Sequence, residues 1–201
     1  MYNSNMSGLD RNLNKKIDQL LGLFPVVIII GVRQGGKTTL AKMVRPDWKY
    51  FDLEKGSDYD RVTTDFDFFF KENPEHLIID EAQKSPQLFN ELRGVVDANK
   101  PQKNRFILTG SSSFELMSQV SESLPGRAAI VELGTMKANE FYEVDISTFY
   151  QIFSKKLGET SFEMLMDSSP ILSANQIKKF YLKGGYPEPI LSHDKNFYKL
   201  W

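Results

Sequence analysis

The run Val26-Val27-Ile28-Ile29-Ile30, closed by Gly31 and followed by Val32-Arg33-Gln34-Gly35-Gly36-Lys37-Thr38, constrains this chain more than any other stretch. Consecutive β-branched residues without polar alternation suit a strand buried on both faces, as inside a parallel sheet. Residues 31–38 then fit G-x-x-x-x-G-K-[ST], the loop that carries a chain from a strand into a helix around a phosphate group. Glycines at 31, 35 and 36 let the backbone turn its N–H groups inward, and the start of the following helix adds partial positive charge. Lys37 supplies a point charge for the β- and γ-phosphates, and the Thr38 hydroxyl supplies an oxygen for Mg²⁺. Arg33 and Gln34 occupy variable positions of the pattern. Together with Thr39 just beyond it, they are secondary candidates for contact with the nucleotide.

Further strands are expected over Lys49 to Leu53, His76 to Asp80, Arg105 to Thr109 and Ala128 to Leu133. Between them helical spacing predicts Lys37 to Val44, a stretch around Asp58 to Phe70, and Pro86 to Ala98, with an amphipathic helix over residues 9–22 leading in. Alternation of this kind specifies an α/β domain with a five-stranded, mainly parallel sheet sandwiched by helices. After about Glu143 the strand signal fades, and Phe149 to Leu157, Phe162 to Met166 and Ile177 to Leu182 read as short helices. The expected organisation is a domain over residues 1–145 followed by a helical region over 146–201. The chain stops within Phe197-Tyr198-Lys199-Leu200-Trp201, without a polar tail, and reads as a fragment of something longer.

Leu77-Ile78-Ile79-Asp80-Glu81 is an apolar strand ending in two carboxylates. At the carboxyl end of a parallel strand, Asp80 would face the crevice that holds the phosphate loop and bind Mg²⁺ through water. Glu81 is then placed to orient and deprotonate an attacking water. Taken alone, such an acidic pair often caps the next helix; beside the phosphate loop it gains meaning. Thr109 ends another buried strand and is a candidate to sense the γ-phosphate or position water, with helix capping as the plainer use of hydroxyls here. That capping falls to Ser112 or Ser113. Arg127, in the turn Leu124-Pro125-Gly126-Arg127, is a candidate to stabilise phosphoryl charge in cis or across a subunit interface, against the plainer reading of a surface ion pair.

These stretches resemble the prokaryotic AAA-type P-loop ATPase family in which the nucleotide-binding domain precedes a C-terminal domain of uncharacterised function. The likeness is carried by GVRQGGKTTL at 31–40, LIIDEAQ at 77–83, FILTGSSS at 106–113, LPGR at 124–127 and GGYPE at 184–188. It implies a sheet order of 5-1-4-3-2, ATP as substrate, Asp80 and Glu81 in the roles argued above, and a stronger case for Arg127. Members usually continue well past 201 residues, which places any activity built there outside this sequence.

Other classes fit less well. Asn99-Lys100-Pro101-Gln102 lacks the aspartate of an Asn-Lys-x-Asp guanine reader, and a helicase would need a second RecA-like domain for which there is no room. A small-molecule kinase and a nucleotide-gated binding module with little hydrolysis are the alternatives to an ATPase. With no cysteine there is no thiolate metal site or cysteine nucleophile. The two histidines, His76 and His193, are too far apart in sequence to suggest a shared metal site. Asp52, Glu54, Asp58, Asp60, Asp65 and Asp67 lack the glycine turn of a calcium loop and read as a solvated face. No apolar run approaches the ~20 residues of a membrane helix, so a soluble, cytoplasmic protein without a membrane partner is expected. A net charge of -1 selects no nucleic-acid partner, and the small basic cluster Lys100, Lys103 and Arg105 reads as a solvated loop. Self-association is anticipated only through a trans arginine, and a protein or nucleic-acid partner stays unspecified.

Overall fold

The computed structural model describes residues 9–111, 114–153, 156–192 and 197. Ser112, Ser113 and His193 lie outside them. Two compact units are formed: one contains Asn12–Gly134, the other Leu9–Arg11 together with Thr135 onward.

The first unit is a three-layer α/β fold. Its strands are β1 (Val26–Gly31), β2 (Lys49–Asp52), β3 (Leu77–Asp80), β4 (Phe106–Ser111) and β5 (Ala128–Leu133). Its helices are α1 (Asn14–Leu21), α2 (Lys37–Val44), α3 (Gly56–Thr63), α4 (Phe66–Glu72), α5 (Gln87–Ala98) and α6 (Phe114–Ser123), with a 3-10 turn over Ala82–Lys84. The sheet runs β2-β3-β4-β1-β5, the expected order, and every pairing is parallel. All six residues of β1 are buried, which its central place requires and its apolar run permits. Each buried Val or Ile side chain contributes about 1.5–3 kcal/mol.

Alternation along the strands divides two cores. Ile28, Ile79 and Leu108 face Phe69, Leu88, Phe89 and Leu116 on one side, whereas Ile29, Ile78 and Ile107 face Ile17, Leu21, Leu40 and Ala41 on the other. The register sets Gly31 beside Ser111 and Leu133, and Asp52 beside Asp80. All carboxyl ends therefore gather on one edge of the sheet, which is where a doubly wound fold presents its ligand crevice.

Several local expectations change. The helix expected over 58–70 is two, because the Asp65 carboxylate accepts the Phe68 N–H at 2.9 Å and starts α4 anew. Asp52 and Asp58 likewise accept backbone N–H groups, of Glu54 and Asp52 respectively, so part of the acidic stretch shapes this turn. Arg105 does not join a solvated basic loop. It is 1% exposed, with its guanidinium donating to the carbonyls of Val95 and Pro74.

The second unit holds α7 (Ala138–Phe141), α8 (Thr148–Phe153), α9 (Glu159–Met166), α10 (Ala174–Lys183) and α11 (Pro187–Leu191). Met136, Phe180 and Ile190 form its small core, joined by Leu9, Ala138, Phe141 and Tyr142. The compact units divide at Gly134, just after β5, and Phe141 of α7 packs with Phe180 in the second. Leu9 belongs here and not to α1, which begins at Asn14. The Arg11 guanidinium donates to the buried Glu140 carboxylate at 3.0 Å. The GGYPE segment closes on residues 135–136, where the Met136 N–H donates to the Gly185 carbonyl at 2.7 Å. A side chain at 185 would lie 2.5 Å from the Met136 carbonyl oxygen, which accounts for that glycine. Among the described residues no helix is long and apolar enough to cross a membrane.

Candidate functional site

The loop from β1 to α2 is shaped by close approach and by positive φ. A side chain on Gly31 would fall 2.2 Å from the Leu133 carbonyl oxygen of β5, so only glycine lets the two strands end side by side. Gly36 takes φ 94 as the residue before α2, a left-handed conformation costly for other residues. Lys37 follows, 5% exposed, and its ammonium donates to the carbonyls of Gly31 at 3.2 Å and Val32 at 3.0 Å. The cation is thereby held against the loop's own carbonyls.

Asp80 is the centre of a hydroxyl cluster. Its Oδ2 accepts from the Thr38 hydroxyl at 2.6 Å and from the Tyr50 phenol at 2.8 Å, and its Oδ1 accepts from the Thr109 hydroxyl. A carboxylate 5% exposed loses most of its hydration, and these three donors offset that loss. Burial first, and then the bond to Asp80, push the Tyr50 phenol well above its ordinary range. It therefore stays a donor. The Lys42 ammonium lies 3.3 Å from the centre of the same ring.

Glu81 leaves β3 with φ 53. Its N–H donates to the Thr109 hydroxyl at 3.4 Å, so Thr109 touches both acidic residues. The Gln83 side-chain amide donates to the Glu81 carboxylate.

Lys37, Thr38, Asp80, Glu81 and Thr109 thus converge at the carboxyl ends of β1, β3 and β4. Arg33 turns outward, its side chain 80% exposed and 3.6 Å from Glu54. Gln34, in a left-handed turn with φ 60, and Thr39 on α2 are exposed at the rim. Arg127 is not brought to this site. Its carbonyl accepts from the Val26 N–H at the amino end of β1, a full strand, roughly 17 Å at 3.3 Å per residue, from Gly31. There its guanidinium makes two 2.7 Å bonds to Asp97. Arg127 thus pairs with Asp97 at the edge away from the loop, because β5 is parallel to β1 and begins there.

Tyr50 and Gln83 are additions that sequence reading passed over. Tyr50 sits two residues before Asp52, and its register partner Ile78 sits two before Asp80. Period-two alternation puts it on the Asp80 face once β2 and β3 are known to be neighbours. Gln83 was visible in LIIDEAQ, but only the tight turn at Glu81 folds it back.

Residues 23–142 match the family model described as the AAA domain, more than half the chain. The chain belongs to the AAA domain family. Uncharacterised proteins of Mycobacterium bovis and Mycobacterium tuberculosis are each 36% identical to it over 133 residues, which is 65% of this chain and 30% of theirs. The chain accordingly spans under a third of the length of these relatives. Among solved structures, it resembles a Walker-type ATPase of Pyrococcus abyssi, with a TM-score of 0.55 at 14% identity, covering 93% of this chain and 67% of that one. It also resembles a signal-transduction ATPase with numerous domains, carrying a tetratricopeptide repeat sensor, from Pyrococcus horikoshii, with a TM-score of 0.52 at 14% identity, covering 96% and 32%. These likenesses establish the AAA-type P-loop fold, a nucleotide-binding architecture.

Proposed function

We propose that this AAA domain binds ATP with Mg²⁺ and hydrolyses it to ADP and phosphate, the energy serving a task carried out by a larger assembly. The observation that carries this reading is the 2.6 Å bond between the Thr38 hydroxyl and the Asp80 carboxylate, made beside Lys37 and the loop glycines. Two hard oxygens converging at a helix start fit Mg²⁺, which keeps most of its shell as water and phosphate and needs few protein ligands. Thr38 and Asp80 would hold that ion. When bound, it would neutralise charge developing on the phosphate oxygens.

The remaining roles belong to the chain. The loop N–H groups and Lys37 bind and orient the phosphates, Thr109 holds the Asp80 and Glu81 positions together, and Glu81 takes a proton from the attacking water. Arg33, Gln34 and Thr39 border the same mouth and contact the nucleotide more peripherally. Arg127 would serve phosphoryl transfer only on a neighbouring subunit, which links it to self-association. A cytoplasmic setting agrees with the need for ATP.

The test is Mg²⁺-dependent phosphate release across protein concentrations, run beside calorimetric ATP binding. Glu81→Gln should keep ATP affinity and lower turnover by about 10²-fold or more. Lys37→Ala should abolish tight ATP binding; near-normal affinity there would remove the phosphate-loop assignment. Tight binding without turnover in the unaltered chain would favour a nucleotide-gated module, and specific activity rising with concentration would mark assembly.

A further inference from the structure

Gln83 stands at the carboxyl edge of the sheet, and the reaction proposed above gives it no task. Its side-chain nitrogen donates to Oε2 of Glu81, a bond strengthened by the carboxylate's charge. Its side-chain oxygen is buried and has no hydrogen-bond partner among the described residues. Turning the amide round would set that oxygen against a carboxylate oxygen and lose the attraction. The Glu81 carboxylate therefore decides which way the amide points, at the expense of its other end. Buried carbonyls without a donor are uncommon, and they persist where surrounding contacts over-determine the position.

Gly110 on β4 supplies the seat. A side chain at 110 would meet the Gln83 oxygen at 2.6 Å and its Cδ at 3.6 Å, with Leu116 Cδ2 at 2.7 Å. The absence of a Cβ at this position is what lets the amide lie against the end of β4. The preceding residue, Thr109, accepts the Glu81 N–H. Two consecutive residues of β4 thus govern Glu81 from both ends, Thr109 through its hydroxyl, which takes the Glu81 N–H, and Gly110 through Gln83. Glu81 itself is kept at φ 53, a conformation few glutamates adopt.

We propose that Gln83 is a positioning residue for Glu81: its amide holds the carboxylate in one orientation and ties that orientation to the carboxyl end of β4 at Gly110. This rests on Glu81 acting as the base in ATP turnover. A base displaced by about 1 Å loses about 10²-fold in rate, while nucleotide binding does not depend on it.

The experiment compares Gln83→Met, which keeps length and removes the donor, with Gly110→Ala, the double variant and Glu81→Gln. Gln83→Met should lower kcat by about 10- to 100-fold with KM for ATP within about twofold, and with unchanged thermal unfolding. The double variant should be no slower than the slower single one, because both act on one contact. Independently of turnover, the Gln83 side-chain amide signals in a ¹⁵N–¹H spectrum should be displaced in the unaltered chain and return to the ordinary range in Glu81→Ala. A Gln83→Met protein with unaltered kcat beside an inactive Glu81→Gln overturns this proposal alone, as do Gln83 signals that ignore Glu81→Ala. Turnover that survives Glu81→Gln, or is absent from the unaltered chain, overturns the reading of Glu81 and this proposal with it.

Discussion

Asp80 shows how much of the site is a matter of individual hydrogen bonds. Three hydroxyls share one buried carboxylate, and removing that of Tyr50, which neither belongs to the phosphate loop nor bonds to Glu81, separates structure from chemistry. Tyr50→Phe should cost about 1.5–3 kcal/mol in urea unfolding, the worth of a hydrogen bond to a charged group, while lowering ATP affinity much less than Lys37→Ala does. At the opposite edge, the bonds from Arg127, and then that from Lys100, hold the Asp97 carboxyl well below its ordinary range. A carboxyl lowered in this way stabilises the fold at pH values above its unfolded value near 4 and loses that contribution as pH falls toward the folded value. Asp97→Asn should therefore unfold at lower temperature than the unaltered chain at pH 7, and the difference should close on titration below about pH 4.

Each element of the sheet is written in its own residues, but the contacts between elements are not. Strand positions, the phosphate loop and the Asp80-Glu81 edge were legible because burial on both faces imposes an unbroken apolar run and because the loop's glycines have no substitute. Strand ends shifted by a residue or two where a turn took over: β3 starts at Leu77 because His76 takes φ 62. The break between α3 and α4 was hidden by hydrophobic spacing that continues across Asp65. Tyr50 and Gln83 were hidden for a different reason, since each acquires its partner only when the chain folds back. The β1–β5 approach offers a test of the sheet itself. Gly31→Ala places a methyl group 2.2 Å from a backbone oxygen that cannot rotate away, so it should destabilise by about 3 kcal/mol and weaken ATP binding through the displaced loop.

At the scale of the whole molecule the two units differ in how they are held. The first has two extensive cores, whereas the second rests on Met136, Phe180 and Ile190 with partly buried neighbours. Phe180→Ala should cost the second unit about 3 kcal/mol, seen as lost amide protection in α10 and α11, with protection of β1 and β4 unchanged. The chain reaches the first unit from Arg11, inside the second, and returns to the second after Gly134. The sheet-bearing segment Asn12–Gly134 is thus an insertion in sequence, each of its ends continuous with residues of the second unit.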